Sequence, residues 1–387
     1  YNTVLDQDPG LVCQATTQLV RRRKEIKGTD GRQSLIYSPR EVFVVYGMGT
    51  LDEGAKNAVE VCMGVKPGEH VLIVTDRSQF EVGDAIRRAA LNVTQHVKLF
   101  VLEDYGERPM AVLPEEIERA VPWANVTFWA AESRKGELPM RRSFRLLATK
   151  YARHAHMPGV TKLLMEQGMC SDYRRISSFT KKLENILKDV RKLEIRNPAG
   201  TELLIELNPE WRWKPCDGIY HEKGQWGNLP EGEIFTAPYK VEGHLVADEL
   251  GDWFSKKYGI LTRPESERDT PVHIDIVDSR ADIESIECEI KELERDLKEY
   301  LQTDENSNRA GEIALPTNLE LMEMPLVGIL LQDEKARVHL AFGNPYPKET
   351  GADWVSKTHV DCIIKNATVW VDGKKILEDD RYLIEMG

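Results

Sequence analysis

The chain changes rhythm twice. Between residues 66 and 130 short apolar runs alternate with amphipathic ones: His70-Val-Leu-Ile-Val-Thr75 reads as a buried strand, and His96 to Leu102 and Asn125 to Ala130 as a second and a third strand. Glu81 to Ala90 and Pro114 to Ala120 read as the helices between them. Strands spaced by helices in this way build a parallel sheet. A further helix is expected at Lys162 to Gln167 and a charged one at Phe179 to Leu193, after which the period falls to two. Lys192 to Arg196 and Glu202 to Leu207 flank the turn Asn197-Pro-Ala-Gly200 and predict a hairpin. Short strands follow at Glu233 to Thr236, His244 to Ala247, His273 to Val277, Glu312 to Leu315, Val327 to Leu331, Arg337 to Phe342, His359 to Ile364 and Thr368 to Val371. The last runs into Asp372-Gly373, a favoured two-residue hairpin turn.

The predicted fold class is therefore an N-terminal α/β domain with a parallel sheet, residues 1–174, joined to a mainly antiparallel, β-rich domain, residues 175–387. One stretch interrupts the second domain. Ile283, Ile286, Ile290, Leu293 and Leu297 recur at helical steps among Glu and Lys, which predicts a helical insertion over 281–302 that packs on the domain or on a partner. Residues 1 to about 60 read as helical and mixed, with a basic helix turn at Arg21-Arg22-Arg23-Lys24.

Charge removes some function classes. Fifty-two Lys and Arg against 64 Asp and Glu give a net charge of −12, with no basic run interleaved with aromatics, so nucleic acid is not an expected partner. No apolar run nears the roughly 20 residues of a membrane helix, and no signal-peptide profile opens the chain. A soluble, cytoplasmic protein is expected. The six cysteines, Cys13, Cys62, Cys170, Cys216, Cys288 and Cys362, form no C-x-x-C pair and read as reduced structural thiols. The first strand-to-helix turn, Thr75-Asp76-Arg77-Ser78, lacks the glycines that cradle a nucleotide phosphate.

The β-rich half carries an unusual supply of metal-type ligands. His359-Val-Asp361 is an i, i+2 pair, and in a strand those side chains share a face about 6 to 7 Å apart. His339 lies mid-strand on the face of Arg337 and Ala341, and Glu334 precedes that strand in a charged turn. Glu233 and Glu312 each begin an apolar strand, where an inward carboxylate is costly without a partner. Each position alone reads equally well as structural. Together, three Glu, one Asp and two His make the oxygen and imidazole mix preferred by zinc, manganese or cobalt, in about the number a two-metal site needs.

The segments Asn228-Leu-Pro-Glu-Gly-Glu-Ile-Phe-Thr-Ala-Pro238, Gly311-Glu-Ile-Ala-Leu315, Asp333-Glu-Lys-Ala-Arg-Val-His-Leu-Ala-Phe-Gly343 with Tyr346, and Thr358-His-Val-Asp361 resemble, in order and spacing, the signature blocks of the thermophilic metallo-aminopeptidases, the aminopeptidase T, aminopeptidase S and PepS family. The resemblance implies metal-ligand roles for Glu233, Glu312, Glu334, His339, His359 and Asp361, and an active-site role for Tyr346. It implies two divalent ions per chain, zinc, cobalt or manganese, hydrolysis of the N-terminal bond of short peptides or amino-acid amides, and a homodimer. Glu312 or Glu233 is expected as general base and Tyr346 as donor to the oxyanion. Gly232 precedes Glu233 where the family's peptidases often carry a second acidic residue, which leaves the base open between those two. The same fold also resembles an iron(II) dioxygenase that opens 2,5-dihydroxypyridine rings, for which two His and one Asp would make a mononuclear facial triad. That alternative leaves Glu233, Glu312 and Glu334 without a purpose.

Overall fold

Uniform burial of Val71–Thr75 and Val126–Ala130 follows from helices on both of their faces, whereas the edge strand Val97–Val101 stays partly exposed. In the computed structural model, which describes residues 48–251, 253–259 and 271–384, a five-stranded parallel sheet runs in the order Val97–Val101, Val71–Thr75, Val126–Ala130, Arg153–His156, Trp226–Asn228. Val71, Ile73, Val126 and Phe128 pack with the helices Leu51–Lys56, Phe80–Leu91 and Lys162–Glu166 on one side. Leu72, Val74 and Trp129 pack with Glu115–Ala120 and Leu138–Tyr151 on the other. In the first strand-to-helix turn Asp76 accepts from Gln79 N–H at 2.7 Å and pairs with the buried Arg108. A carboxylate thus stands where a phosphate-binding loop would leave room.

The second half forms two antiparallel sheets around one core. An eight-stranded sheet takes the order Arg280–Ala281, Val272–Val277, Lys240–Ala247, Glu202–Glu206, Lys192–Arg196, Thr368–Val371, Lys374–Glu378, Arg381–Tyr382. A six-stranded sheet takes the order Glu249–Leu250, His359–Ile364, Val338–Gly343, Ala310–Pro316, Glu233–Thr236, Lys214–Cys216. Leu193, Ile205, Leu245 and Ile274 of the first sheet share a core with Ile313, Leu340, Phe342 and Cys362 of the second. Both predicted hairpin turns are present. These elements all belong to the unit Gly49–Gly387. The basic turn at residues 21–24, Cys13 and most of the helical stretch read for residues 1 to about 60 lie outside the described residues.

The helix expected at Phe179 to Leu193 begins earlier, at Tyr173, where the Asp172 carboxylate accepts from Arg174 and Arg175 N–H at 3.0 and 3.2 Å, and it ends at Leu187. The residue numbers 174 and 175, where the two domains were expected to meet, fall inside it. Trp226–Asn228, not singled out as a strand from the sequence, adds an edge strand to the parallel sheet and leads directly into Glu233–Thr236 of the other sheet.

Two expectations are corrected. The helical insertion over 281–302 shrinks to Lys291–Tyr300. Its first half pairs instead: Glu287 and His273 exchange backbone hydrogen bonds of 2.9 and 3.0 Å, which places Ile286 in the core from an extended segment. Val327 to Leu331 is no strand either, because the Asp333 carboxylate accepts from Val327, Gly328 and Ile329 N–H at 2.9, 2.7 and 2.9 Å and folds them into a loop before the short helix Leu330–Asp333.

Leu293 and Leu297 are fully buried in the core shared by the two sheets. Leu293→Ala is therefore expected to cost about 2–5 kcal/mol in denaturant unfolding and to leave the sedimentation profile unchanged. A change in association state with little loss of stability would assign the helix to a partner instead.

Candidate metal centre

Four neighbouring strands of the six-stranded sheet present one face to the common core and the other to a cleft. The core face carries Ile234, Ile313, Leu315, Leu340, Phe342, Val360 and Cys362. Strand alternation then sends Glu233, Glu312, His339, His359 and Asp361 to the opposite face. The register aligns them: Glu312 lies opposite Ala341, and Ala341 opposite Asp361. Ala314, Ala341 and Gly343 floor this face with minimal bulk, leaving room between the longer side chains. A bulge between Ala310 and Glu312 sets the position of Glu312. It lies at Gly311, where a Cβ would come within 2.5 Å of the Gly343 carbonyl oxygen.

The side chains converge. His339 Nε2 is 3.6 Å from Glu233 Oε2, 3.5 Å from Glu312 Oε1 and 3.9 Å from Asp361 Oδ1. His359 Nε2 is 3.7 Å from Glu312 Oε2 and 3.2 Å from Asp361 Oδ1. Donor atoms about 2.0–2.2 Å from one tetrahedral ion stand about 3.3–3.6 Å apart, and all of these separations but the 3.9 Å one lie within about 0.1 Å of that range. Two triads result, Glu233–Glu312–His339 and Glu312–His359–Asp361, and Glu312 belongs to both.

The surroundings prepare both imidazoles to face inward. His339 Nδ1 lies 3.2 Å from the Arg337 carbonyl and His359 Nδ1 3.0 Å from the Asn344 carbonyl, so each ring presents Nε2 to the cluster. Glu233 Oε2 and Glu312 Oε2 are buried and have no hydrogen-bond partner. Orphaned buried carboxylate oxygens are costly, and a cation between them removes that cost. Hard oxygens with imidazole nitrogens are a donor set that fits zinc, cobalt, manganese or iron(II).

Glu334 lies outside both triads. It caps the Leu330–Asp333 helix, is 9% exposed and places Oε1 2.8 Å from Lys335 Nζ. Lys335 is 1% exposed and also reaches Glu231 Oε1 at 3.1 Å and Glu233 Oε1 at 2.5 Å. Burial opposes its charge, but these carboxylates hold its pKa well above the ordinary lysine value. Burial in turn raises Glu231 to about 8 and Glu334 to about 7. Neither Lys335 nor Glu231 was anticipated from the sequence. The signal was present as a lysine between a carboxylate and an apolar strand, but such a lysine ordinarily reads as solvated.

Cys216 groups with Glu231 and Glu233 in a third triad, although no thiol was expected at the site. Burial and those two carboxylates push the thiol pKa up, so it stays protonated, and Lys335 already supplies a cation there. Tyr346 packs its ring 4.9 Å from that of His359 and 5.7 Å from that of Phe235. Its left-handed backbone (φ 50°) starts the short helix Pro347–Thr350. Burial and the neighbouring carboxylates raise its phenol, which therefore remains a donor.

The whole constellation opens on a cleft of about 2370 Å³. The parallel sheet contributes its C-terminal end there, through Gln79, Glu132 and His156. That is where open α/β sheets hold their ligands. The six-stranded sheet contributes Glu233, Glu312, His359 and Asp361, with Tyr346 beyond its Val338–Gly343 strand.

Known proteins resemble the chain in both sequence and fold. It is 32% identical over 218 residues to aminopeptidase T of Thermus aquaticus, covering 50% of this chain and 47% of that protein. It is 30% identical over 204 residues to aminopeptidase T of Thermus thermophilus, covering 47% and 44%. The matches thus span about half the length of these curated relatives. Among solved structures, 2,5-dihydroxypyridine dioxygenase from Pseudomonas putida superposes with a TM-score of 0.63 at 16% identity, covering 86% of this chain and 97% of that one. Wild-type AmpT from Thermus thermophilus superposes with a TM-score of 0.62 at 18% identity, covering 86% and 99%. Both establish the fold, an α/β part with a parallel sheet joined to larger antiparallel sheets. The family described as thermophilic metalloprotease (M29) matches residues 159–250 and 285–387, a span that includes all four strands of the metal-type cluster, and the chain belongs to that family.

Proposed function

We propose that the chain is a two-metal aminopeptidase that removes the N-terminal residue of short peptides or amino-acid amides. The observation that carries this reading is Glu312, whose two oxygens face different histidines and which belongs to both ligand triads. Glu233, Glu312 and His339 would hold one ion, and Glu312, His359 and Asp361 the other. A pair of divalent ions supplies Lewis acidity and an activated water at neutral pH. The family resemblance adds zinc, cobalt or manganese as the metal and a homodimer, and the sequence pattern adds a cytoplasmic setting to the proposal. Among the described residues no helix is long and apolar enough to cross a membrane.

The chain's own groups divide the remaining work. Glu233 and Glu312 both sit within the triads, whereas Glu334 stands outside them, lines the cleft and has one oxygen anchored by Lys335. In this reading Glu334 takes the proton of the attacking water and returns it to the leaving amine. Tyr346, held beside His359 as a neutral phenol, donates to the oxyanion as it develops. The excess of carboxylates attracts the substrate's free ammonium group.

A second reading, a mononuclear iron(II) dioxygenase, is supported by His339, His359 and Asp361 as a facial triad, with both Nε2 atoms within 3.9 Å of Asp361 Oδ1. The chain loaded in turn with zinc, cobalt, manganese and iron(II) is expected to hydrolyse amino-acid p-nitroanilides and amides without consuming oxygen. Glu334→Gln should lower kcat by about 10²–10⁴ with metal content unchanged. Oxygen uptake with an aromatic substrate, or no hydrolysis with any metal, would reverse the order of the two readings.

Protonation gives a further check. In the metal-free cluster burial disfavours charge on the histidines, but Glu312, Glu233 and Asp361 outweigh it and raise His339 from 6.5 to about 9. Asp361 and Glu312 likewise raise His359 to about 10. The stability these imidazolium pairs contribute is complete below pH 6.5 and is lost as the pH rises through about 9 to 10. Metal competes with the same protons, so its affinity runs the other way and weakens as the pH falls. Calorimetry at about pH 7.5 in buffers of different ionisation enthalpy should show release of about two protons per chain. Binding without proton release would show that the histidines are not ligands.

A further inference from the structure

The cleft has a pole opposite in sign to the acidic cluster. Arg145, on the helix Leu138–Tyr151, lays its guanidinium carbon 3.8 Å over the ring of Trp226, and both line the cleft that holds Glu233, Tyr346 and Asp361. Among the described residues the Arg145 guanidinium makes no hydrogen bond and no ion pair. Three other cations on this rim are matched: Lys256 with Glu132 at 3.0 Å, Arg134 with Glu132 at 3.1 Å, and Lys257 with Glu292 at 2.8 Å. Arg142, three residues before Arg145, also lines the cleft, and like charges at that spacing repel on a helix. Burial and Arg142 disfavour the Arg145 charge, and the groups that favour it are Tyr346 and Glu349. Tyr346 is within electrostatic reach of both the guanidinium and the metal-type cluster.

A guanidinium has five donors and no acceptor, and stacking on an indole leaves those donors free in the ring plane. That fork matches a carboxylate in bidentate geometry. The cleft therefore offers a short zwitterion two complementary ends: carboxylates for the ammonium and a half-buried arginine for the carboxylate. We propose that Arg145, held flat by Trp226 and assisted by Arg142, binds the C-terminal carboxylate of a di- or tripeptide whose N-terminal residue lies at the acidic cluster. The inference rests on the peptidase reading for the direction in which the peptide lies. It makes the site selective for short peptides with a free carboxyl terminus, and the tail of a longer peptide would overrun Arg145.

The test compares leucyl-glycyl-glycine with its C-terminal amide on the metal-loaded full chain, by kcat/KM and by calorimetric Kd. The free acid should be preferred by about tenfold to a hundredfold. Arg145→Met, which keeps an unbranched chain over Trp226, should abolish the preference by weakening the acid alone, and Arg145→Lys should keep part of it. A purely structural role would weaken acid and amide alike. Equal handling of the two peptides by the unmodified chain, or an unchanged preference in Arg145→Met, overturns the proposal. Absence of cleavage for both peptides sinks the peptidase reading instead, and the Kd pair still decides whether Arg145 is a carboxylate site.

Discussion

Five carboxylates, Glu231, Glu233, Glu312, Glu334 and Asp361, are buried together on one end of the β-rich half, against one lysine and two histidines. This imbalance is the constraint on which the rest depends. Were all five ionised, the negative groups would outnumber the positive ones even with both imidazoles protonated; burial instead raises Glu231 to about 8 and Glu334 to about 7 and pushes Glu312 up as well, so ionising the full set calls for further cations. Lys335 neutralises one side of the cluster, where three carboxylates meet its ammonium. The other side keeps two orphaned oxygens, Glu233 Oε2 and Glu312 Oε2, and pairs imidazole with carboxylate at ligand-to-ligand spacing. A fixed internal cation on one side and demand for exchangeable cations on the other are what the proposed metal centre rests on.

The sheet makes that concentration of charge possible. Strands of period two send Ile, Leu, Val and Phe to one face and the ionisable residues to the other, and the core face supplies the burial that holds four strands in register. Ala314, Ala341 and Gly343 keep the centre of the charged face low. The parallel sheet closes the cleft from the far side, and its edge strand Trp226–Asn228 continues through Glu231 and Gly232 into the strand of Glu233. Gly232 has φ 138°, and a Cβ there would come within 2.9 Å of Asn318 N, so this turn tolerates no side chain between the two glutamates. One short segment therefore fixes the spacing between the ring under Arg145 and Glu233 of the cluster.

Much of this was legible in the sequence because period and ligand type are local signals. The strands at Glu233, His359 and Thr368 begin and end where their alternation says, and the helix–strand succession from Val71 to Ala130 needed only small shifts of boundary. The six residues read as ligands come from segments far apart in sequence, and the structure brings five of them, all on strands, into two triads with Glu334 alongside. What stayed hidden depended on tertiary context. Ile283, Ile286 and Ile290 kept helical spacing, yet Ile283 ends in a single 3-10 turn and backbone pairing of Glu287 with His273 drew the stretch around Ile286 into extended form. Glu231 and Lys335 belong to residue types that nearly always face water, and nothing local distinguishes a buried lysine from a solvated one. Arg145 needed Trp226, 81 positions away, to become a candidate for recognition.

The central claim is that Glu312 is shared by two cations. Anomalous diffraction from crystals of the metal-loaded chain, recorded on either side of the metal's absorption edge, tests it most directly. Two peaks about 3.5 to 4 Å apart, with one Glu312 oxygen on each and Lys335 still on Glu233, are the expected result. A single peak held by His339, His359 and Asp361, with Glu312 turned away, would contradict it.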